Sequence, residues 1–499
     1  MSTINANAKP PSLAGRGILP VAYLVGQVLI AVSGLMLFPM FVDMYASNDD
    51  WRAFAMAAAL AFVLGFIMRR SGRGSLKSGL TIRQAFLLTP LSWMMVAMIG
   101  ALPFFFSDFG LTSGSVTNAF FESMSGLTTT GSTVIGNLNE APPGFLLWRA
   151  ILQWAGGIGI IGVAIAVLPT LGIGGMQLFR TESSDRSEKV MPKVRQIAMA
   201  VAMVYLGLTI LAGTCYWLAG MTPFEAVAHA LTTLSTGGFS TSDQSFGAWE
   251  DNGIQWIATL FMLAGGIPFV LYVRFMAGER SALWDSQVRA FLVFLGLAAT
   301  GVALYLLITD QYGVEAAFRN AAFSVVSVVT TTGYATADYS TWGGVAVGAF
   351  FGLTFMGGCT GSTSGGIKIF RFQVLILLLR SHFRSLLYPR GVFPRSYNDK
   401  PLGNDVVASV IVFFAIFFVC YSLITIALMA MDLDFLTSAS AAVTALANVG
   451  PGLGDTIGPA GNFSTLPAAA KWVLCFAMLL GRLELFTVLI LFMPRFWRG

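Results

Sequence analysis

The stretch Val329-Thr330-Thr331-Thr332-Gly333-Tyr334 lies between two long apolar segments of the chain. Its three threonines followed by a glycine can end a short helix and lead into a turn whose carbonyl groups are free. Glycine adopts positive φ readily, which allows successive carbonyls to face the same axis. One such turn is common in proteins, but four of them around a shared axis would form a ring.

Three further versions of this turn occur along the chain. Roughly one hundred residues separate neighbouring versions, and self-similarity at a fixed period indicates a repeated architecture. The three versions are Thr128-Thr129-Thr130-Gly131-Ser132, Leu234-Ser235-Thr236-Gly237-Gly238-Phe239 and Asn448-Val449-Gly450-Pro451-Gly452. A ring of backbone carbonyls can replace the water shell of a potassium ion. We therefore predict an ion-binding ring in which Gly131, Gly237, Gly333 and Gly450 are equivalent.

The composition places the whole chain in a membrane. Of its 499 residues 56% are hydrophobic and only 11% are charged, whereas soluble domains carry about 25% charged residues. The apolar run that begins at Ile18 is too long for the core of a signal peptide, so we expect a retained span. The cysteines all lie in apolar segments without metal-ligand spacing, which indicates small buried side chains. They are Cys215, Cys359, Cys420 and Cys475.

The apolar segments predict ten spanning helices and four short helices, each short one directly before a turn. The predicted spans are 18–46, 51–69, 83–107, 145–169, 196–219, 253–277, 286–309, 343–380, 404–431 and 468–494. The predicted short helices are 115–127, 223–234, 314–329 and 435–447. We therefore expect an all-α integral membrane fold with four pseudo-repeats of helix, pore loop and helix around a pseudo-fourfold axis, plus two extra N-terminal transmembrane helices. The expected units are 1–78, 79–193, 194–281, 282–400 and 401–499.

The short helices cannot be spans, because about twelve residues are too few to cross a hydrocarbon core of about 30 Å. A short apolar helix that turns back must be buried in protein or line a wet cavity. Its C-terminal end would place the negative end of the helix dipole near a cation. The alternative is that these segments are amphipathic pieces at the membrane surface.

Basic residues cluster in alternate loops, which predicts cytoplasmic termini and turns that face outward. The side with most of the positive charge carries Arg69, Arg70, Arg73, Arg180, Arg186, Arg274, Arg280, Arg380, Arg384, Arg390, Arg495 and Arg498. The opposite side is mostly acidic, with Arg149 among its few basic exceptions. This charge is spread over loops between spans that are surrounded by lipid, so we expect no nucleic-acid partner.

The four motifs, in this order and spacing, resemble those of the Trk/Ktr/HKT superfamily of potassium transporters, and the two extra spans resemble its Trk branch. The resemblance covers nearly the whole chain and makes the four aligned glycines the filter glycines. It implies that K⁺ is bound at Thr130, Gly131, Thr236, Gly237, Thr332, Gly333, Val449 and Gly450, within turns that also contain Thr129, Thr331 and Asn448. Glycine in the first motif favours potassium, because some sodium-preferring relatives have serine there. From their positions, the hydroxyls of Thr128, Ser235 and Thr330 could add ligands at the inner mouth.

Residues 357–368 interrupt the return helix of the third repeat with five glycines and four hydroxyl residues. Each glycine costs about 1 kcal/mol in a helix, so a continuous helix is not expected here. Irregular backbone at this depth is tolerated beside a water-filled cavity, and the resemblance implies an intramembrane loop that gates the pore. The gate glycines would be Gly357, Gly358, Gly361, Gly365 and Gly366. The alternative is a patch of small residues for close helix packing.

Two basic residues accompany the predicted gate. Arg482 lies near the middle of the predicted last span, where an arginine is costly and usually faces a cavity or a partner. We hypothesise that it faces the pore below the turns and raises the barrier to cations. The alternative is a structural ion pair, although Glu484 would not share its helix face. Lys368 could act in the same way or extend to the cytoplasmic surface.

The partners follow from the resemblance, which implies a homodimer and a cytosolic nucleotide-binding regulatory ring of the TrkA type. The charged loops at 178–196 and 380–403 are too short to fold alone and lack a glycine-rich nucleotide motif, so any nucleotide would bind the partner. The alternative is that both loops are plain connectors.

The sequence therefore predicts a non-enzymatic subunit for potassium uptake in a bacterial inner membrane, without a cofactor of its own. Two alternatives are the potassium-binding subunit of an ATP-driven pump and a sodium- or proton-coupled symporter. An intramembrane serine protease is a distant third, because Ser364 lacks a Gly-x-Ser-Gly context. His229 and His382 also fall in a short helix and in a basic loop.

Overall fold

The computed structural model describes residues 17–75, 80–166, 190–249, 251–391, 393, 395–398 and 400–498. Part of the predicted loop at 178–196 lies outside these residues. The first half contains helices α1 Leu19–Tyr45, α2 Trp51–Ser71, α3 Ile82–Gly100, α4 Leu102–Phe106, α5 Val116–Leu127, α6 Pro143–Ala166, α7 Val190–Leu218 and α8 Pro223–Leu234.

The second half contains the remaining helices and four two-residue strands. The helices are α9 Asn252–Gly266, α10 Phe269–Met276, α11 Ser286–Ile308, α12 Val314–Val329, α13 Gly344–Thr354, α14 Ile369–Leu387, α15 Asn404–Met429, α16 Phe435–Ala447, α17 Ala468–Arg482, α18 Phe486–Leu489 and α19 Pro494–Arg498. The strands are β1 Met356–Gly357, paired in parallel with β2 Ile367–Lys368, and β3 Ser396–Tyr397, paired antiparallel with β4 Lys400–Pro401.

The described residues contain seven helices long and apolar enough to cross a membrane, or nine if each of two bent pairs is one span. The predicted span 343–380 is divided into α13 and α14 by the irregular segment that its glycines predicted. The predictions of continuous helices at 253–277 and 468–494 were wrong. The first bends by 91° between α9 and α10, and the second bends by 110° between α17 and α18.

The two bends have different causes, and local sequence explains only the first. Pro268 caps α10, and proline lacks the amide hydrogen that would continue α9. The second bend passes through Glu484 and Leu485, whose φ angles are 60° and 40°. Bulky residues adopt this left-handed conformation only where the surrounding structure imposes it, so tertiary contacts, and not the local sequence, decide this bend.

The short helices α5, α8, α12 and α16 have bounds close to the predicted ones. Three of them begin with a side-chain cap, in which Ser115, Thr222 or Asp434 accepts a hydrogen bond from a backbone amide of the first turn. Such caps satisfy amides that have no partner within the helix. In α8, Glu225 completes a capping box with Thr222.

The short helices are arranged in a closed cycle. Each one packs against the return helix of the repeat before it: α8 against α6, α12 against α9, α16 against α13, and α5 against α17. Helices α1 and α2 pack against each other outside this cycle, and α1 also contacts α3 and α6. The cycle brings the C-terminal ends of all four short helices toward one centre.

Candidate ion-conduction site

Each short helix ends in the same type of turn. The amide of the residue after the left-handed position donates to a carbonyl five residues earlier: Thr130 to Ser125, Gly237 to Thr232, Thr332 to Ser327 and Val449 to Thr444, at 2.8–3.0 Å. This bond is typical of a Schellman C-cap. The left-handed residues are Thr129, Thr236, Thr331 and Asn448, with φ between 51° and 59°.

This shared geometry corrects the predicted register of the second turn. The glycines with positive φ two residues after the left-handed position are Gly131, Gly238, Gly333 and Gly450. Gly238, with φ of 82°, is therefore the counterpart of the other three glycines, and Gly237 is not. Gly237 instead takes the position of Thr130, Thr332 and Val449. The sequence Gly-Gly left the register open, and only the backbone angles distinguish the two residues.

The four turns contact one another as a closed ring. A methyl group at Gly131 would lie 2.2 Å from the carbonyl oxygen of Gly237, and one at Gly238 would lie 1.9 Å from that of Thr332. A methyl group at Gly333 would lie 2.0 Å from the carbonyl oxygen of Val449, and one at Gly450 would lie 2.6 Å from that of Thr130. No side chain fits at these positions, because carbon atoms do not approach an oxygen this closely.

A vestibule of about 390 Å³ opens on one side of the ring, and all four positive-φ glycines line it. Other lining residues follow the glycines in sequence, such as Ser132, Phe239 and Pro451. The residues that precede the glycines in each turn do not line it. They therefore face the opposite side of the ring or its outer wall.

The hydroxyls predicted at the inner mouth donate hydrogen bonds to carbonyls of the short helices. Thr128 and Thr330 donate to the carbonyls of Met124 and Val326 at 2.7 Å, and Ser235 donates to Leu231 O at 2.8 Å. Their protons therefore cap helix ends. Their oxygens keep lone pairs, so a role as ion ligands stays a prediction.

A buried ion pair braces the first and second turns, and the sequence did not identify it as part of the site. Arg149 Nε contacts Glu122 Oε1 at 2.8 Å, and both side chains are at most 2% exposed. Glu122 also accepts from the Thr133 hydroxyl and the Val134 amide. Arg149 further donates to Ser240 O at 2.9 Å. The sequence did contain one indication of this pair, because Arg149 is a basic residue on the side of the membrane that is predicted to be mostly acidic.

Residues 357–368 form an irregular loop that lies against the ends of three short helices. The Thr363 hydroxyl donates to Leu234 O at 3.0 Å, and the Gly365 amide donates to the Thr331 hydroxyl at 2.7 Å. A methyl group at Gly365 would lie 2.2 Å from Ala447 O. These contacts involve residues that precede the ring glycines, so the loop lies across the ring from the vestibule.

The other predicted gate glycines anchor this loop at its edges. The Ile369 amide donates to Gly358 O, and the Phe269 amide donates to Gly361 O. Gly357 and Gly366 pack together where β1 pairs with β2, and a methyl group at Gly357 would lie 3.1 Å from Gly366 C. The loop is thus tied to the bend between α9 and α10 as well as to its own stem.

Both basic residues of the predicted gate contact the loop. Arg482 is the last residue of α17, and its Nη1 donates to Thr363 O at 2.7 Å. Lys368 is buried and its Nζ donates to Ser364 O, so it does not extend to the cytoplasmic surface. Glu484 pairs with Arg371 and not with Arg482. A cavity of about 30 Å³, lined by Lys368 and Arg482 among others, remains beside the loop.

Comparison with known proteins identifies the family. The sequence model of TrkH, described as a cation transport protein, matches residues 54–498. The chain belongs to the TrkH family. It is 48% identical to the Trk system potassium uptake protein TrkI of Halomonas elongata, over 96% of both chains. It is 34% identical to the Trk system potassium uptake protein TrkH of Escherichia coli strain K12, over 96% of this chain and 99% of that protein.

A solved structure agrees with this assignment. The crystal structure of the potassium transporter TrkH from Vibrio parahaemolyticus matches with a TM-score of 0.88 at 36% identity, covering 96% of this chain and 99% of that one. The TrkH-family chain is therefore a multi-pass, mostly helical membrane protein, and its family is one of transport proteins and not of enzymes. The resemblance inferred from the four turns is confirmed.

Proposed function

We propose that this TrkH-family chain takes up K⁺ across a bacterial inner membrane through the ring of four turns. The observation that carries the proposal is the closed contact of each ring glycine with a carbonyl of the next turn, with a vestibule directly above. The named relatives and the solved neighbour are potassium proteins, which supports the choice of ion. They do not favour the pump subunit or the coupled symporter.

In this proposal the ion loses water in stages. It enters the vestibule, whose lining includes the carboxylate of Asp243, and then exchanges water for backbone oxygens of the turns. The carbonyl-bearing pairs are Thr130 with Gly131, Gly237 with Gly238, Thr332 with Gly333, and Val449 with Gly450. The short helices direct the negative ends of their dipoles toward the same place. A potential of 100 mV supplies about 2.3 kcal/mol per charge for inward movement.

The loop at 357–368 is the proposed gate. Two observations support this role: the loop contacts the ends of α8, α12 and α16 on the side away from the vestibule, and Arg482 donates to Thr363 O. The charges of Arg482 and Lys368 beside the small cavity oppose a cation that has passed the ring. Conduction requires the loop and these two side chains to move aside.

The orientation and partners belong to the same proposal. The bias of Lys and Arg supports cytoplasmic termini and an outward vestibule.

Helix α14 leads from the loop to the hairpin of β3 and β4, where Asn398 and Tyr397 contact Asp285 and Gln373. We propose that a homodimer presents this region to a TrkA-type nucleotide-binding ring, which would move α14 and thereby the gate. Deletion of that partner should lower uptake, and unchanged uptake would contradict the regulatory part alone.

The test is K⁺ uptake by a bacterium that lacks its own potassium transporters and expresses this chain. Wild type should restore growth at low K⁺, with uptake that Na⁺ inhibits only weakly. Gly131→Ser should lower uptake at least about tenfold or strongly increase inhibition by Na⁺, because no side chain fits between the turns.

Gly162→Ser is the matched control, since no described atom lies within 4 Å of a methyl group added at this helix glycine. It should behave as wild type at equal membrane abundance. If wild type fails to restore uptake, the proposed function is wrong. If Gly131→Ser transports with wild-type selectivity, the ring is not the filter.

A further inference from the structure

The second turn of the ring lacks a side chain that the other three turns have. Thr130, Thr332 and Val449 stand at the position directly before the ring glycine, and Gly237 stands there in the second turn. The closed ring contacts place all four residues in the same structural role. The wall behind the second turn is therefore incomplete unless another part of the chain fills it.

In the other turns this side chain makes contacts inside the protein. The Thr130 hydroxyl lies 2.8 Å from that of Thr128 and accepts from Asn448 Nδ2 at 3.0 Å. The Thr332 hydroxyl lies 2.8 Å from that of Thr330. These bonds tie the turn to its own helix end and, in the first turn, to the neighbouring repeat.

The carboxamide of Gln153, from α6, occupies the corresponding space in the second turn. A methyl group at Gly237 would lie 2.3 Å from both Cδ and Oε1 of Gln153. Gln153 Nε2 donates to Gly237 O at 2.6 Å, and Gln153 Oε1 accepts from the Phe239 amide at 3.1 Å. The carbonyl needs a donor and the amide needs an acceptor, which fixes the orientation of the Gln153 side chain. The residue is fully buried.

Equivalent positions on two of the other return helices, α9 and α17, carry no such amide. A methyl group at Gly156, Gly265 or Gly481 would lie 1.8, 3.2 or 1.9 Å from the carbonyl oxygen of the equivalent residue of a short helix, which is Leu127, Leu234 or Leu446. These contacts align the three return helices. Three residues before each glycine stand Gln153, Met262 and Met478, all buried. The glutamine thus faces the one turn that has a glycine in place of a side chain.

We propose that Gln153 is a positioning residue that supplies the missing side chain of the second turn and sets the discrimination between K⁺ and Na⁺. This rests on the proposed function. A carbonyl oxygen has two lone pairs, so Gly237 O can accept from Gln153 and still face an ion. The bond fixes the direction of that carbonyl and withdraws charge from its oxygen. Both the position and the field strength of carbonyls affect ion selectivity.

The experiment replaces the pair of residues that the proposal couples. Gln153→Met keeps the volume and removes the donor. It should lower the ratio of K⁺ to Na⁺ transport about three- to tenfold, as expected for the loss of one hydrogen bond. Gly237→Thr alone should reduce uptake at least about tenfold, because the new side chain collides with Gln153.

The double variant Gln153→Met/Gly237→Thr gives the second turn, and the α6 position behind it, residue types that occur at equivalent positions elsewhere: threonine as at Thr332 and methionine as at Met262. It should recover the ratio of K⁺ to Na⁺ transport to within about threefold of wild type, since the effects of substitutions at contacting residues are not additive. The control is Gln27→Met, on the exposed side of α1, which should leave the ratio unchanged.

The readout is the ratio of K⁺ to Na⁺ transport, which does not depend on how much protein reaches the membrane. A wild-type ratio in Gln153→Met, or failure of the double variant to improve on Gly237→Thr, would overturn the role of Gln153. Wild-type uptake of K⁺ in the same assay would leave the proposed function intact. Absence of K⁺ uptake by the wild-type chain would instead contradict the proposed function.

Discussion

The two sides of the ring each contain a buried ion pair, but the pairs differ in how completely they are bonded. On the vestibule side, Glu122 accepts from Arg149, Thr133 and Val134. On the loop side, Glu484 pairs with Arg371, yet Arg371 Nε and Nη1 have no hydrogen-bond partner among the residues that the structure describes. The Arg371 guanidinium instead lies 3.6 Å from the centre of the Phe413 ring.

This difference distinguishes the vestibule side, which holds one arrangement, from the loop side, which can rearrange. A buried polar network with all its bonds formed fixes one arrangement, whereas an incomplete one costs less to rearrange. Within the described part of the chain, Arg482 Nε and Ser364 Oγ on the loop side also lack hydrogen-bond partners. The vestibule side therefore holds the turns in position, and the loop side contains groups that could find new partners after a displacement.

The largest expected effect comes from breaking the vestibule-side pair. Arg149→Met leaves Glu122 buried without its cation, which typically destabilises a protein by about 3–5 kcal/mol. The midpoint of thermal unfolding in detergent should fall, and the selectivity for K⁺ should weaken because Thr133 and Ser240 lose a donor.

Arg371→Met is the matched variant on the loop side and should cost less stability, because Arg371 makes fewer bonds. The double variant Glu122→Gln/Arg149→Met should regain part of the loss, since no buried charge remains unpaired. Equal destabilisation by Arg149→Met and Arg371→Met would remove the distinction between the two sides.

A smaller effect, of opposite sign, is expected from releasing the loop. Arg482→Gln removes a positive charge and the bond to Thr363 O. The rate of K⁺ flux in proteoliposomes should rise about tenfold, comparable to the loss of one charged hydrogen bond, while the ratio of K⁺ to Na⁺ should stay near wild type. A changed ratio with unchanged flux would assign Arg482 to the filter and not to the gate.

The smallest effect is expected at an exposed ion pair away from both sides. Arg274 and Glu279 contact each other at 2.7 Å, and their side chains are 49% and 53% exposed. Arg274→Met should change stability by less than about 1 kcal/mol, as is usual for exposed pairs, and should leave both flux and selectivity unchanged. A large effect would indicate that this surface meets a partner, and it would no longer serve as a reference for the buried pairs.

Much of the fold could be predicted because membrane helices leave clear signals in sequence. The lengths of the apolar segments gave the bounds of α5, α8, α12 and α16 to within a few residues. The glycines at 357–368 located the break between α13 and α14. The bends after Gly266 and Arg482 were missed for different reasons. Gly265, Gly266 and Pro268 marked the first bend in the sequence but were taken as part of one span. The second bend follows the positive φ angles of Glu484 and Leu485, which tertiary contacts impose and local sequence does not indicate.

The candidate site was predicted less completely. The sequence identified the four turns but not the register of the second, since Gly237 and Gly238 are chemically identical. It gave no indication of Gln153, because one glutamine in an apolar helix can serve many purposes. Arg149 and Glu122 are far apart along the chain, and sequence periodicity does not report contacts between different helices.

The sequence by itself determined the membrane environment, the positions of the four turns and the residue types within them, because these depend on local composition and on the conformational freedom of glycine. Only the tertiary structure decided which glycine faces the vestibule, which carbonyl Gln153 holds and how the charges beside the loop are paired. Those features depend on the close approach of segments from different repeats. Packing at that distance is fixed by the whole fold and by no single stretch of the chain.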